Sequence, residues 1–331
     1  MKAIRIERPG EAAIVDRSVG EPGENEVLIK VEASGICGTD VHIFRGEYVG
    51  GYPVIPGHEF AGLVERTGPG VHRIRSGDRV TVEPNIACDN CPACHHNCQN
   101  FCHNWQGIGV TLPGGMAQYV TAPEKAVFSI GDLPYEQGAF AEPLSCVLHG
   151  LERAKTRVAD RVAILGSGPI GLLLLQCVRL EGASHVTVVE RQEARAEFAK
   201  AYNADSVLTD LDALQPESYD VVIDATGVPS VMARSLDFAR RGGTVLLFGV
   251  PPNDASMQLA PFPIFYNGLT ILSSFTSVRN SLQAIALLRS SRVDVSGLIS
   301  HRLPLSEFER GVTLIEKGLD AVKKVMILPQ E

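Results

Sequence analysis

Five of the eight cysteines in this 331-residue chain fall between residues 88 and 102. Cys88, Cys91, Cys94 and Cys102 follow the spacing C-x2-C-x2-C-x7-C, tight enough for one loop to wrap a tetrahedral zinc ion in soft ligands. Four thiolates leave no open coordination position, so such a site is expected to be structural. Cys98 is a fifth candidate inside the same loop. An iron–sulfur cluster is the rival reading of clustered cysteines, but the spacing is not that of the ferredoxin runs.

Two other segments hold possible ligands, GICGTDVH (35–42) and PGHEFAG (56–62). Cys37, His58 and Glu59 offer a thiolate, an imidazole and a carboxylate, each an acceptable zinc donor. Glu142 stands alone in the apolar stretch AFAEPLS, and a charged residue is seldom buried without a partner, so a cation is one group it could reach. Each has a plainer reading as well. His58 fits a core histidine, Cys37 a small buried hydrophobe, and Glu142 half of a salt bridge. Spacing alone does not unite them.

A third constellation is VAILGSGPIG, where Gly166, Gly168 and Gly171 form GxGxxG between a strand and a helix, with Pro169 and Ile170 opening that helix. The first glycine permits a tight turn, and the second lets the backbone approach a pyrophosphate. The third allows close helix–sheet packing, and the helix N-terminus supplies amide donors. Glu190 ends the next strand, 19 residues past Gly171, where a carboxylate can accept bonds from both ribose hydroxyls. Its charge would repel a 2′-phosphate, which favours NAD over NADP, although Arg191 follows directly and weakens that preference.

The elements needed to position these residues change character near residue 145. Before it, EVLIKVEASGI (26–36), FAGLVERTG (60–68), DRVTVEP (78–84) and MAQYVTA (116–122) are short β-rich runs punctuated by Gly and Pro. After it, strands alternate with helices: RVAILG, then PIGLLLLQCVRLEG, HVTVVE, RQEARAEFAKAYN, YDVVIDATG, the helix VPSVMARSLDFARRG, and GTVLLFGV. That order predicts βαβ units on a parallel sheet. NSLQAIALLRS and LSEFERGVTLIEKG read as amphipathic helices and VKKVMILP as a closing strand. The expected arrangement is a catalytic domain of residues 1–144 and 273–331, with its zinc lobe at 86–103, interrupted by a cofactor domain of residues 145–272.

Composition narrows the class of protein. Thirty basic against thirty-eight acidic residues give a formal charge of -8, which argues against a nucleic-acid partner. No apolar run approaches the ~20 residues of a membrane span. The start, MKAIRIERPGE, is charged throughout and has no apolar leader. Clustered cysteines and no leader lead us to expect a cytoplasmic protein.

Taken together, the motifs resemble the zinc-dependent medium-chain dehydrogenase/reductase family. GICGTDVH, GHEFAG, the four-cysteine lobe, GGMAQY, AEPLSCVLHG, GSGPIG, DATG and FGVPP occur in family order along nearly the whole chain. The resemblance implies a GroES-like β-rich catalytic domain with an inserted Rossmann domain, two zinc ions per chain, a nicotinamide cofactor, and a homo-oligomer, tetramer or dimer. It makes Cys37 and His58 ligands of the catalytic zinc. The AEP motif, in place of a second cysteine, points to the sorbitol/polyol dehydrogenase branch, with Glu59 as third ligand and Glu142 on the zinc-bound water or on the metal. Thr39 and His42 match proton-relay positions, and Asp40 matches an acid beside His58. Arg195 falls near the adenosine end of the cofactor and Val250 near the nicotinamide, and Phe275 is a further cofactor-binding candidate.

The chemistry implied is oxidation of a secondary alcohol, most simply a polyol, to the ketone. Zinc lowers the pKa of the hydroxyl, the proton leaves through Thr39, the nicotinamide ribose and His42, and hydride passes to nicotinamide. L-threonine and small secondary alcohols such as butanediol are alternative substrates within the class. From another class, a zinc-binding regulator that kept the fold would be free to lose any of Cys37, Thr39, His42, His58, Glu59 and Glu142, and all are present. Phe275 is followed by Thr276, where animal sorbitol dehydrogenases carry arginine, so the sequence leaves the substrate open.

Overall fold

The computed structural model describes Met1–Glu331 and divides into two compact units, Met1–Ser145 with Ser277–Glu331, and Cys146–Thr276. The second boundary falls after the strand Thr270–Ser273, because that strand completes the second unit's sheet. No helix is long and apolar enough to cross a membrane.

The first unit is built on a seven-stranded sheet in the order Ile299–Pro304, Lys324–Leu328, Glu26–Gly35, Glu59–Thr67, Arg79–Val82, Val127–Ser129, with Tyr119–Pro123 also paired to Glu26–Gly35. Only the first pair is parallel. Val27, Ile29 and Val31 follow the two-residue period of a strand into a core with Phe60, Val64, Val80 and Val120. Two pairings place the functional residues: Gly35 lies opposite Glu59, and Met326 opposite Gly35. Cys37 follows just past the strand end. Where the chain returns, Glu83 Oε2 accepts hydrogen bonds from Ser277 Oγ at 2.8 Å and Ser281 Oγ at 2.9 Å, tying the two segments of the unit together.

The β-rich reading of the first 144 residues omits one helix that matters, Gly38–Arg45. Cys37 caps it in an extended conformation, the Asp40 carboxylate accepts from Cys37 N at 2.8 Å, and Val41 and Ile43 enter the core.

The second unit is a six-stranded parallel sheet ordered Ser206–Leu208, His185–Val189, Arg161–Leu165, Tyr219–Asp224, Ala239–Leu247, Thr270–Ser273. The chain order reverses beside Arg161–Leu165, which is where doubly wound sheets bind dinucleotides. Val162, Ala163, Ile164 and Leu165 are all buried, as expected of a strand covered on both faces. The segment expected as one helix at VPSVMARSLDFARRG is shorter. The helix spans Pro229–Arg234, a single tight turn covers Ser235–Phe238, and Ala239 already begins the next strand. A register shift between the pairs Tyr219↔Ala239 and Val221↔Thr244 absorbs the extra residues, with Gly242 at φ +71°.

Candidate active site

The strand pairings gather Cys37, His58 and Glu59 so that one ligand atom from each lies within 4.8 Å of the others. His58 and Glu59 are 7% and 1% exposed. Asp40, fully buried, organises both ligand segments. One oxygen accepts from Cys37 N, and the other accepts from Gly57 N at 3.1 Å and stands 3.5 Å from His58 Nδ1. Burial opposes a charged ring at His58, yet Asp40 and Cys37 outweigh it and raise the imidazole well above its ordinary range. Glu59 accepts a hydrogen bond from the buried ammonium of Lys324, which also donates to Ile36 O at 3.3 Å. Burial works against that ammonium, and Glu59 more than compensates, so the lysine is held charged. A Cβ on Gly35 would lie 2.5 Å from Glu59 Oε2, so glycine is needed where the carboxylate crosses the strand.

These donors fit a zinc ion. A thiolate, an imidazole and a carboxylate converge, with His58 and Glu59 buried and Cys37 partly so, and Asp40 lies on Nδ1 of His58, which leaves Nε2 for a metal. Glu142 is buried in the first turn of the helix Ala141–Ala154, where its carbonyl accepts from Ser145 Oγ at 2.7 Å. It is not in the three-residue cluster. Thr39 and His42 sit one turn apart on the helix Gly38–Arg45, three residues being the spacing that shares a helix face. His42 Nδ1 pairs with Glu47 Oε2 at 2.9 Å.

Cys88, Cys91, Cys94 and Cys102 form a second cluster with ligand atoms within 4.8 Å of one another. The Sγ atoms of Cys91 and Cys94 are 3.5 Å apart, and those of Cys91 and Cys102 are 3.9 Å apart. Zn–S bonds of about 2.3 Å in a tetrahedron put the sulfurs about 3.8 Å apart, so the packing suits one zinc. Amides of Cys94 and His103 hold the Cys91 thiol down to about 6, while burial and neighbouring thiols push Cys94 up to about 11. Amides of Cys88 and Asn104 also point at Cys102 Sγ, at 3.2 and 3.3 Å. Cys98 is exposed and outside the cluster.

In the second unit, Gly166 turns at φ +101°, and a Cβ on Gly171 would strike Gly166 O at 2.0 Å. Gly168 caps the helix Pro169–Leu180, Pro169 occupies its first position, and Ile170 follows half-buried. Glu190 is buried beside this turn and accepts from Ser167 N at 3.1 Å, Ser167 Oγ at 3.2 Å and Gln192 N at 3.1 Å. The Arg195 guanidinium lies 3.5 Å from the Cβ position of Gly168, with its buried Nε unpaired. The turn therefore brings Gly166, Gly168, Gly171, Glu190 and Arg195 together. Val250 and Phe275 lie on later segments, 47% and 36% exposed, with the Val250 backbone against Gly227 and the preceding Thr226 against Gly166.

Comparison with known proteins decides the family. The Alcohol dehydrogenase GroES-like domain family matches residues 23–132, and the Zinc-binding dehydrogenase family matches residues 169–290. D-altritol 5-dehydrogenase of Agrobacterium fabrum is 36% identical, with 93% of this chain and 94% of that protein covered. D-arabinitol dehydrogenase 1 of Uromyces fabae is 34% identical, with 94% and 93% covered. The chain belongs to the zinc-dependent medium-chain dehydrogenase/reductase family. L-threonine 3-dehydrogenase of Bacillus velezensis, 31% identical over 99% of both chains, is a further relative. A solved zinc-binding dehydrogenase from Sinorhizobium meliloti, bound to NADP, superposes on this medium-chain dehydrogenase with a TM-score of 0.94 at 36% identity, covering 99% of each chain. The chain is thus a zinc- and nicotinamide-dependent oxidoreductase with two zinc-ligand clusters.

Sequence reasoning missed Lys324, Ser167 and Glu47. Lys324 carried the signal used for Glu142, a charge inside an apolar run, in VKKVMILP.

Proposed function

We propose that this medium-chain dehydrogenase oxidises a secondary hydroxyl of a polyol to the ketone, with NAD as hydride acceptor. The observation that carries the reading is the cluster of Cys37, His58 and Glu59, its imidazole and carboxylate buried, in which a carboxylate takes the place of a second thiolate. Two curated relatives covering over nine-tenths of the chain are named for sugar alcohols, D-altritol and D-arabinitol, which supports a polyol.

Bound in this cluster, zinc would polarise the substrate hydroxyl, and nicotinamide would take the hydride from the carbinol carbon. The chain's own residues do the rest. Asp40 fixes the Cys37 and His58 segments, and Lys324 orients Glu59. Thr39 accepts a hydrogen bond from the substrate hydroxyl, and His42, one turn further along the same helix with a side chain 15% exposed, is the group that delivers the proton to water. Glu142 would serve the bound zinc as a second carboxylate, on its water or on the metal, as the family resemblance implies. Glu190, anchored by Ser167, presents negative charge where a 2′-phosphate would sit, which supports NAD.

L-threonine is the second reading, favoured by the Bacillus relative. Initial rates with a panel of polyols, L-threonine and simple secondary alcohols, each with NAD and NADP, separate the two. Turnover of polyols with NAD is expected; activity confined to L-threonine would replace the reading.

A further inference from the structure

The relay histidine does not stand free at the end of its helix. His42 Nδ1 is 2.9 Å from Glu47 Oε2, and an ionised carboxylate can only accept, so the proton of a neutral ring must sit on Nδ1. The lone pair is then left on Nε2. We propose that Glu47 is a positioning residue that locks His42 in the tautomer able to take the substrate proton. This rests on the reading of His42 as proton acceptor.

The local backbone makes the pair more than a chance surface contact. Gly46 ends the helix Gly38–Arg45 in the left-handed region, at φ +81°, and its amide donates to Ile43 O at 3.1 Å. Glu47 N donates to the carbonyl of His42 itself at 2.8 Å, completing the helix-ending motif in which the residue after the glycine reaches back one and a half turns. Glu47 is therefore held to His42 through its main chain while its side chain returns to the same residue's ring. A side chain at position 46 would also meet Pro9 Cγ at 2.8 Å, so the turn has little freedom to change.

Charge supports the same geometry. Arg45 Nη1 lies 3.8 Å from Glu47 Oε2, and Arg45 Nε donates to Glu316 Oε1 at 2.6 Å on the helix Phe308–Lys317. Arg45 thus sets a positive charge near the Glu47 carboxylate, while Glu316 holds the arginine in place. The His42 and Glu47 side chains are 15% and 34% exposed, leaving a partly shielded pair whose outer edge is wet.

In the proton step, an N–H bond forms at Nε2 as the O–H bond of the donor breaks. Nδ1 keeps its own proton on Glu47, so the imidazolium forms against a carboxylate. Nε2 then releases its proton to water, and the ring returns to the starting tautomer. An amide at position 47 could donate to Nδ1 and favour the tautomer protonated at Nε2, which has no lone pair at Nε2 to take the substrate proton.

The test uses the zinc-loaded full chain and its Glu47→Gln, Glu47→Asp and His42→Ala variants. The readouts are kcat and KM and the ring 15N signals of His42 at about pH 9, above the ordinary imidazole range. Glu47→Gln should lower kcat by about ten- to a hundred-fold, with KM for alcohol and NAD within about two-fold, and should shift the ring toward the Nε2–H form. Glu47→Asp, which keeps a carboxylate, should recover part of both. A slow Glu47→Gln enzyme with an unchanged tautomer overturns the proposal, since the loss would then be structural, and so does a variant with wild-type kcat. If His42→Ala turns over at the wild-type rate, the reading of His42 as proton acceptor fails, and the role of Glu47 fails with it.

Discussion

The ammonium of Lys324 lies on the carboxylate of Glu59, with both residues buried and 265 positions apart in the chain. A buried pair of this kind is organised by its surroundings: removing one partner leaves the other charged and unsolvated. Lys324→Met should therefore destabilise the first unit by about 3 kcal/mol in denaturant unfolding. Adding Glu59→Gln to that variant should restore part of the loss. A single variant as stable as the wild type would show that the pair does not hold the site.

Burial and the neighbouring thiols of Cys91 and Cys102 push the Cys94 thiol up to about 11, so a bound cation is what would favour its thiolate. Cys94→Ser should bring the zinc content to about one ion per chain and lower the midpoint of thermal unfolding, while the folded fraction keeps its turnover number. Equal loss of turnover in the folded fraction would make the lobe part of the catalytic machinery.

The cysteine lobe and the glycine turn were legible because their meaning lies in local spacing: four thiols within one loop, three glycines at a strand–helix junction. The Lys324–Glu59 pair was not, because it depends on strand register across most of the chain, Met326 against Gly35 and Gly35 against Glu59. The helix Gly38–Arg45 was hidden for a different reason. It begins at glycine, a poor helix former, after a cysteine cap rather than Ser, Thr, Asp or Asn. Glu47 could be assigned only once the turn at Gly46 had folded it back onto His42. In the second unit the alternation of strands and helices was readable, but the strand start at Ala239 was not, since ARRGG has neither an apolar run nor a two-residue period.

Glu190 accepts three hydrogen bonds from its own chain and still ends the strand beside the glycine turn. Glu190→Ala should reduce the preference for NAD over NADP by about tenfold in kcat/KM, with part of the effect coming from a loosened turn at Ser167. The ratio of kcat/KM for the two cofactors measures this. An unchanged ratio would assign ribose recognition to another residue.

Glu181 links cofactor-unit stability to pH. Burial, with Glu152 nearby, pushes its carboxyl from 4.5 up to about 7, and Thr156 Oγ1 donates to it. Between those two values the folded chain keeps a proton that the unfolded chain releases. Stability from this group is thus complete below 4.5 and is lost as pH rises through about 7. Because the side chain is only partly buried, Glu181→Gln should stabilise the protein by about 1 kcal/mol at about pH 8, with little effect at about pH 4. Denaturant melts at the two pH values check the sign; stabilisation confined to acid would reverse it.

The central claim is that Cys37, His58 and Glu59 hold a zinc ion on which NAD-dependent alcohol oxidation depends. The most direct measurement is zinc per chain, determined on the same samples as NADH formation from a polyol panel, for the wild type and Cys37→Ser. The account predicts about two zinc ions and turnover in the wild type, and about one zinc with turnover lost in a folded Cys37→Ser variant. A Cys37→Ser enzyme that keeps its rate, or a wild type with zinc in the cysteine lobe alone and full activity, would contradict it.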